Sequence, residues 1–117
     1  MNHEELRQFC LREIERFVPQ AADDQLGVPL SGEFFAAGLA RMKESLLAPY
    51  DLEIPIPEDE RRTSFAKRSC AIAARIRSGV FLAFDPVAEE FFVVEPTENQ
   101  FIIHVYGGDA VGCFLAY

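Results

Sequence analysis

The fold of this chain is indicated most strongly by residues 80–106, which read VFLAFDPVAEEFFVVEPTENQFIIHVY. Three short runs in this stretch are rich in aromatic and β-branched residues: 80–84, 91–95 and 101–106. Turn-forming residues separate the runs, including Pro86 and Pro96. Short runs of this composition between turn residues predict antiparallel strands joined as a meander.

Residues 111–117 form one more apolar run, which follows Gly107, Gly108 and Asp109. Asp109 can cap a short helix, because its side-chain oxygen can accept hydrogen bonds from the first free amides. A fourth strand is the alternative, and the Val, Cys, Phe and Tyr content of the run favours it. We therefore expect three or four strands in the C-terminal half.

Both sides of the predicted strands are apolar. Phe91 and Val93 point to one face of a strand, while Phe92 and Val94 point to the other. A sheet with one solvated face does not need this pattern. Helices can cover one face, so the other face must meet a partner protein, a second copy of the chain, or the sheet itself wrapped tightly.

Two amphipathic helices are predicted before the strands. The first is capped by Asn2, with Glu5 three residues later, and it ends before Pro19. Its apolar stripe consists of Leu6, Phe9, Cys10, Ile14 and Phe17. The stripe of the second helix, which ends before Pro49, consists of Phe35, Leu39, Met42 and Leu46. Gly38 lies beside this second stripe, where a glycine can allow another element to approach closely.

The middle of the chain is harder to assign. Residues 52–57 contain Ile-Pro-Ile-Pro, which predicts an extended connector, because a proline lacks the amide donor that a helix interior or a central strand requires. The stretch from Pro57 to Gly79 predicts a third helix, with acids at its start and four alanines between Ala66 and Ala74. A half-buried strand remains open for residues 63–77, since apolar residues also alternate there.

These elements together predict one α+β domain over residues 1–117. Two or three N-terminal helices pack on a C-terminal antiparallel β-meander of three to four strands in this prediction. A chain of 117 residues is long enough to bury a core without disulfides or metals.

Charge is distributed unevenly along the chain. Residues 61–77 hold six of the eleven basic residues and no acid, whereas the chain after Ser78 holds six acids and neither Lys nor Arg. This contrast predicts a binding surface formed by Lys67, Arg68, Arg75 and Arg77 for an acidic surface of another protein. A solvated helix face is the alternative. The net charge of -8 argues against a nucleic-acid partner.

His104 and Tyr106 are the candidates for a pocket. Alternation places both on one face of the strand over residues 101–106, where they could bind a small molecule. Acid–base catalysis by His104 needs a nearby carboxylate, and Asp109 lies beyond two glycines. The sequence therefore predicts no catalytic residue, and the scattered His, Cys and carboxylates predict neither a metal site nor a cofactor.

The cysteine pattern favours a reducing compartment. Cys10, Cys70 and Cys113 are far apart and odd in number, which is untypical of a disulfide framework. The first residues are acidic, unlike a signal peptide, and no apolar run approaches the length of about twenty residues that spans a membrane. The expected location is the cytoplasm, with no membrane contact.

Residues 81–86 (FLAFDP) followed by residues 90–95 (EFFVVE) resemble the strand pair of the SUKH superfamily. Residues 26–30, leading into Phe34 and Phe35, are similar to the first helix of that family. The resemblance implies a cytoplasmic α+β domain of the kind that serves bacteria as toxin-immunity proteins. The chain has no tryptophan and no Asn-Gly turn, both of which that pattern includes, so no residue role is carried over.

A helical half before a curved meander is also similar to the cone-shaped nuclear-transport-factor-like fold. That resemblance implies a pocket between helices and sheet, where enzymes of that fold place an Asp–His pair. The sequence pairs no aspartate with His104, so no residue is carried over here either.

The function expected from the sequence is that of a small cytoplasmic protein-binding module, an adaptor or immunity-type protein without catalytic activity. A homo-oligomer formed through the sheet is a further expectation. The alternative is a small-molecule-binding or enzymatic domain that uses His104 and Tyr106.

Overall fold

The structure is a computed structural model that describes residues 1–18 and 32–117. The described residues form helices α1 (His3–Arg16), α2 (Gly32–Ser45) and α3 (Ala110–Ala116). The strands are β1 (Leu46–Pro57), β2 (Phe65–Arg77), β3 (Val80–Asp85), β4 (Glu90–Pro96) and β5 (Phe101–Gly108). They form one antiparallel sheet in the order β1-β2-β3-β4-β5. The α+β prediction is confirmed, but the sheet has five strands and one helix is C-terminal.

Helix α1 begins as predicted. The Asn2 side chain accepts a hydrogen bond from the Glu5 amide at 2.8 Å, and the Glu5 carboxylate accepts one from the Asn2 amide at 3.0 Å. This capping box satisfies two amides that a helix start leaves free. The predicted stop at Pro19 lies outside the described residues.

Helix α2 ends at Ser45, and Leu46, which was predicted to continue it, begins β1. The predicted close approach at Gly38 is present. A Cβ atom at this position would lie 2.5 Å from Cδ2 of Leu115. The missing side chain therefore makes room for α3 against α2.

The prediction of a connector at residues 52–57 is wrong, because these residues complete β1. This strand pairs only with β2 and forms one edge of the sheet. Prolines are tolerated on an edge strand because its outer side has no neighbour that needs their amide hydrogens. Alternation places Ile54 and Ile56, at 0% and 1% exposure, inside.

The prediction of a helix between Pro57 and Gly79 is also wrong. Residues 65–77 form β2, the central partner of β1 and β3. Ala71, Ala73 and Ala74 are buried in the core beneath the helices. Tertiary packing overrides the helix propensity of alanine here, because small side chains let the helices lie close to the sheet.

The last apolar run is a helix, not the favoured fourth strand. The Asp109 side chain accepts a hydrogen bond from the amide of Gly112, which caps α3. The buried face of the helix is formed by Ala110, Val111, Cys113 and Phe114. Burial of this face against the sheet outweighs the β-propensity of its residues.

All three helices pack on one face of the sheet and share a core with it. This helix-side core includes Leu6 and Cys10 of α1, Met42 of α2 and Phe114 of α3, each at most 1% exposed. The space between helices and sheet, where the alternative prediction put a pocket, is therefore occupied by packed apolar side chains.

The other sheet face carries no helix of the described residues, yet it is also buried. Cys70, Ile72, Ala83, Phe92 and Val94 on this face are each 0% exposed. In a flat sheet of five strands, the outer strands would lie about 19 Å apart. Here Arg62, in the β1–β2 turn, donates a hydrogen bond from Nη1 to the Ile103 carbonyl of β5 at 3.3 Å. The sheet is therefore coiled, with its two edge strands facing each other.

Register shifts account for the coiling. They interrupt the β1–β2, β2–β3 and β4–β5 pairs, whereas the β3–β4 register is regular. A β-bulge bends a strand and increases its twist. Among the alternatives for the second apolar face, the structure shows the sheet wrapped onto itself.

Candidate functional site

The candidate site is a groove between the β1–β2 hairpin and β5, which we call the β1–β5 groove. It consists of three adjoining depressions of about 850, 250 and 470 Å³. The hairpin side of the groove is formed by Glu53, Pro55, Pro57, Arg62, Phe65 and Lys67. The opposite side runs from the β4–β5 turn, residues 97–100, through Phe101 and Ile103 to Tyr106.

The groove separates two strand edges that differ in hydrogen-bonding capacity. Both β1 and β5 have a neighbour on one side only. Pro55 and Pro57 have no amide hydrogen, which makes the outer edge of β1 a poor template for another strand. The edge of β5 has no proline, so it keeps its donors and acceptors over residues 101–108.

Arg62 covers part of the β5 edge. Its backbone has a φ of 55°, in the left-handed region that non-glycine residues seldom adopt. This conformation belongs to the turn from which the guanidinium reaches the Ile103 carbonyl. A charged side chain on a strand edge is a common protection against unwanted strand pairing.

An ion pair between a buried carboxylate and a partly buried arginine lies behind the Tyr106 end of the groove. Asp85 is 0% exposed, and its Oδ2 accepts hydrogen bonds from Arg68 Nη1 at 2.6 Å and from the Tyr106 hydroxyl at 3.0 Å. Its Oδ1 accepts a hydrogen bond from the Val87 amide at 3.0 Å. The carboxylate of Asp85, on β3, thus connects to β2 and β5 through hydrogen bonds.

The contacts around the Asp85 carboxylate shift the pKa of Asp85 and that of Tyr106. Burial raises the pKa of Asp85, but hydrogen bonds from Arg68, Val87 and Tyr106 lower it further than burial raises it. The pKa of the Asp85 carboxyl therefore lies below its usual range, and the group is ionised at neutral pH. Burial, together with the bond to Asp85, raises the pKa of Tyr106 to about 12. Tyr106 is therefore a hydrogen-bond donor at neutral pH and a poor base.

The structure disperses the four basic residues that were predicted to bind a partner. Arg68 is paired with Asp85, and Lys67 Nζ lies 3.9 Å from a carboxylate oxygen of Glu53. Arg75 is exposed, and the guanidinium carbon of Arg77 lies 4.4 Å from the ring centre of Tyr117. Lys67 and Arg77 are ten residues apart on one strand, a contour length of about 33 Å. They do not form one compact patch.

The structure also separates His104 from Tyr106. His104 Nε2 lies 2.9 Å from Glu95 Oε1 and 3.3 Å from the hydroxyl of Tyr117, which packs against the helix-side core. Tyr106 instead contacts Phe92 of the other face, with ring centres 5.5 Å apart. Register shifts in the β4–β5 pair break the simple alternation that put both on one face.

The three cysteines are unsuited to nucleophilic catalysis. Each is at most 1% exposed. Burial raises the pKa of Cys10 and of Cys70 to about 12 and that of Cys113 to about 11. Because the thiolate is the reactive form, these groups are inert at neutral pH.

We expect the thiols to react only when the protein opens. Under native conditions at pH 8, a colourimetric disulfide reagent such as 5,5′-dithiobis(2-nitrobenzoate) should label them at least about 100-fold more slowly than in 6 M guanidinium chloride. Absorbance at 412 nm measures the reaction. One thiol reacting at the denatured rate would contradict the burial described here.

The described part of the chain contains no group of three His, Cys, Asp or Glu side chains that could hold a metal ion. Of the helices formed by residues 1–18 and 32–117, none is long and apolar enough to span a membrane. No known protein family, curated protein or solved structure matches the chain.

Sequence reasoning missed most of the residues that form the groove. Phe65, Phe101 and Arg62 come together only because the sheet coils. One signal was present in the sequence: alternating Ile and Pro at residues 54–57 indicates an edge strand with one apolar side. Asp85 ends an apolar run directly before Pro86, where a turn residue is expected, so no local signal indicates that it is buried.

Proposed function

We propose that this chain is a protein-binding module that receives an extended segment of a partner protein in the β1–β5 groove. The observation that carries this proposal is the outer edge of β5, which pairs with no strand and borders an open groove. An extended peptide can add to such an edge, where its main chain forms the hydrogen bonds of a further strand.

The groove also offers apolar contacts to side chains of the added segment. Phe65 is 51% exposed and lies with Pro55 and Phe101 in both the largest depression and the one beside it. Exposed aromatic side chains beside a strand edge provide the pockets that give strand addition its sequence preference.

Catalysis is not part of this proposal. The candidates of the alternative, His104 and Tyr106, contact different sides of the sheet, and Tyr106 donates its hydroxyl to Asp85. Binding of an acidic partner by Lys67, Arg68, Arg75 and Arg77 stays a prediction. We retain the cytoplasm as the proposed compartment, supported by three unpaired cysteines.

Selection from a displayed library of random dodecapeptides tests the proposal. We expect recovered peptides to bind the protein and to lose at least about ten-fold in affinity when Phe65 is replaced by serine, because an exposed aromatic anchor is removed. Fluorescence polarisation measures the dissociation constants. Amide hydrogen exchange in β5 should slow in the complex, because added main-chain hydrogen bonds protect edge amides.

Tyr50→Ser provides a matched control. Tyr50 is 44% exposed and lies on β1, the strand that pairs with the β2 strand of Phe65, but it does not line the groove. Its replacement should leave the affinities unchanged. If no peptide is recovered, or if the two variants weaken binding equally, the groove is not a peptide-binding site.

A further inference from the structure

We infer that the segment bound in the β1–β5 groove is a basic, extended one that adds to β5, with an apolar residue at the Phe65 end and Lys or Arg at the Tyr106 end. This inference rests on the proposed function and adds the chemistry of the partner. It reverses the partner charge expected from the basic residues of the sequence.

The charges that line the groove support a basic occupant. Its acids are Glu53, Glu58, Asp59, Glu60 and Glu98, and its bases are Arg62 and Lys67. Five acids against two bases leave the walls negative. The whole chain has a net charge of -8, so the long-range field also attracts a cationic segment.

The Tyr106 end of the groove holds three of its five acids, and the other end holds Phe65 and Phe101. Glu58, Asp59 and Glu60 line the depression that contains Tyr106. Hydrogen bonds from the Thr63 side chain and amide lower the pKa of Asp59, so it is ionised at neutral pH. Phe65 and Phe101 lie in the largest depression, towards the β4–β5 turn.

The distance between these ends predicts a spacing in the partner. Phe101 and Tyr106 are five residues apart on β5, which corresponds to about 16 Å of extended chain. An added strand has the same rise per residue. Its apolar and basic side chains should therefore be separated by about four to six residues.

The strand edges indicate where the segment pairs. Prolines remove donors from the β1 edge at residues 55 and 57, whereas β5 has none. Arg62 donates a hydrogen bond to the Ile103 carbonyl, and this bond must break before an added strand can pair there. A second copy of this acidic chain would bring like charges together, so a different, basic partner fits better.

The charge of peptides recovered from the random library tests this inference. We expect them to be enriched in Lys and Arg, about four to six residues from an apolar residue. Replacing both Glu58→Gln and Glu60→Gln should weaken such peptides about three- to ten-fold at 50 mM salt, with a smaller effect at 500 mM salt. Glu13→Gln with Glu15→Gln on α1 removes the same charge elsewhere and is the matched control.

The outcomes separate the two proposals. Recovered peptides that depend on Phe65 but are neutral or acidic would overturn the basic partner and leave the groove as a binding site. Equal effects of the two glutamine pairs would show that the overall negative charge of the protein attracts the peptides, rather than the acids of the groove. This result would also overturn the inference. Absence of any Phe65-dependent peptide would overturn the proposed function itself.

Discussion

Replacing Phe92 with alanine is expected to lower the free energy of unfolding by about 3–5 kcal/mol. Phe92 is 0% exposed on the sheet face opposite the three described helices, and it packs in the apolar cluster with Ile54, Ile72 and Val94. Removing the ring leaves a cavity that the surrounding strands fill only in part. Urea or guanidinium denaturation, followed by circular dichroism, measures the loss.

The control for Phe92 is the exposed Phe65 at the groove. Phe65→Ala should cost about 1 kcal/mol or less, since half of that side chain is already in water. The melting temperature of the Phe92 variant and of the parent protein should not depend on protein concentration, because a single chain buries this face. A small cost at Phe92 with a concentration-dependent melting temperature would show that a second copy covers the face instead.

Replacing Arg68 with leucine is expected to destabilise the protein by about 3 kcal/mol at pH 7. The variant leaves the Asp85 carboxylate fully buried without its cationic partner. The hydrogen bonds from Tyr106 and the Val87 amide remain, but they do not supply a counter-charge. Denaturant titrations measure the difference from the parent protein.

Two further variants test whether the ion pair is the cause. Arg75→Leu removes an exposed arginine from the same strand and should change stability by no more than about 0.5 kcal/mol. Adding Asp85→Asn to Arg68→Leu should recover much of the loss, because no buried charge remains and the amide oxygen can still accept a hydrogen bond. A double variant no better than Arg68→Leu would mean that the arginine acts through packing alone.

The pKa of Asp85 determines how the stability of the parent protein and of Arg68→Leu changes with pH. The pKa of Asp85 is lower in the folded protein than the ordinary value of about 3.9, so its contribution to stability is present above that value. It is lost as the pH falls through the folded-state pKa. In Arg68→Leu, burial acts on Asp85 without the arginine, which raises its pKa. The deficit of the variant should therefore shrink as the pH falls from 7 to 4.

Several local features follow from the sequence because they depend on nearby residues. The capping box of Asn2 and Glu5 and the stripe of α1 involve residues within a few turns of one helix. Strands β3, β4 and β5 follow from short apolar runs between turn residues. Apolar residues on both strand faces predict that both faces are covered, and both are buried in the structure.

The sequence by itself determined an α+β chain with a capped N-terminal helix and a meander of apolar strands. Only the tertiary structure decided that residues 65–77 form a strand, because their alanines pack under helices distant in sequence. It also decided that α3 is helical, since its apolar face is buried against the sheet. The β1–β5 groove depends on coiling, which brings the first and last strands together, and no local pattern specifies that contact.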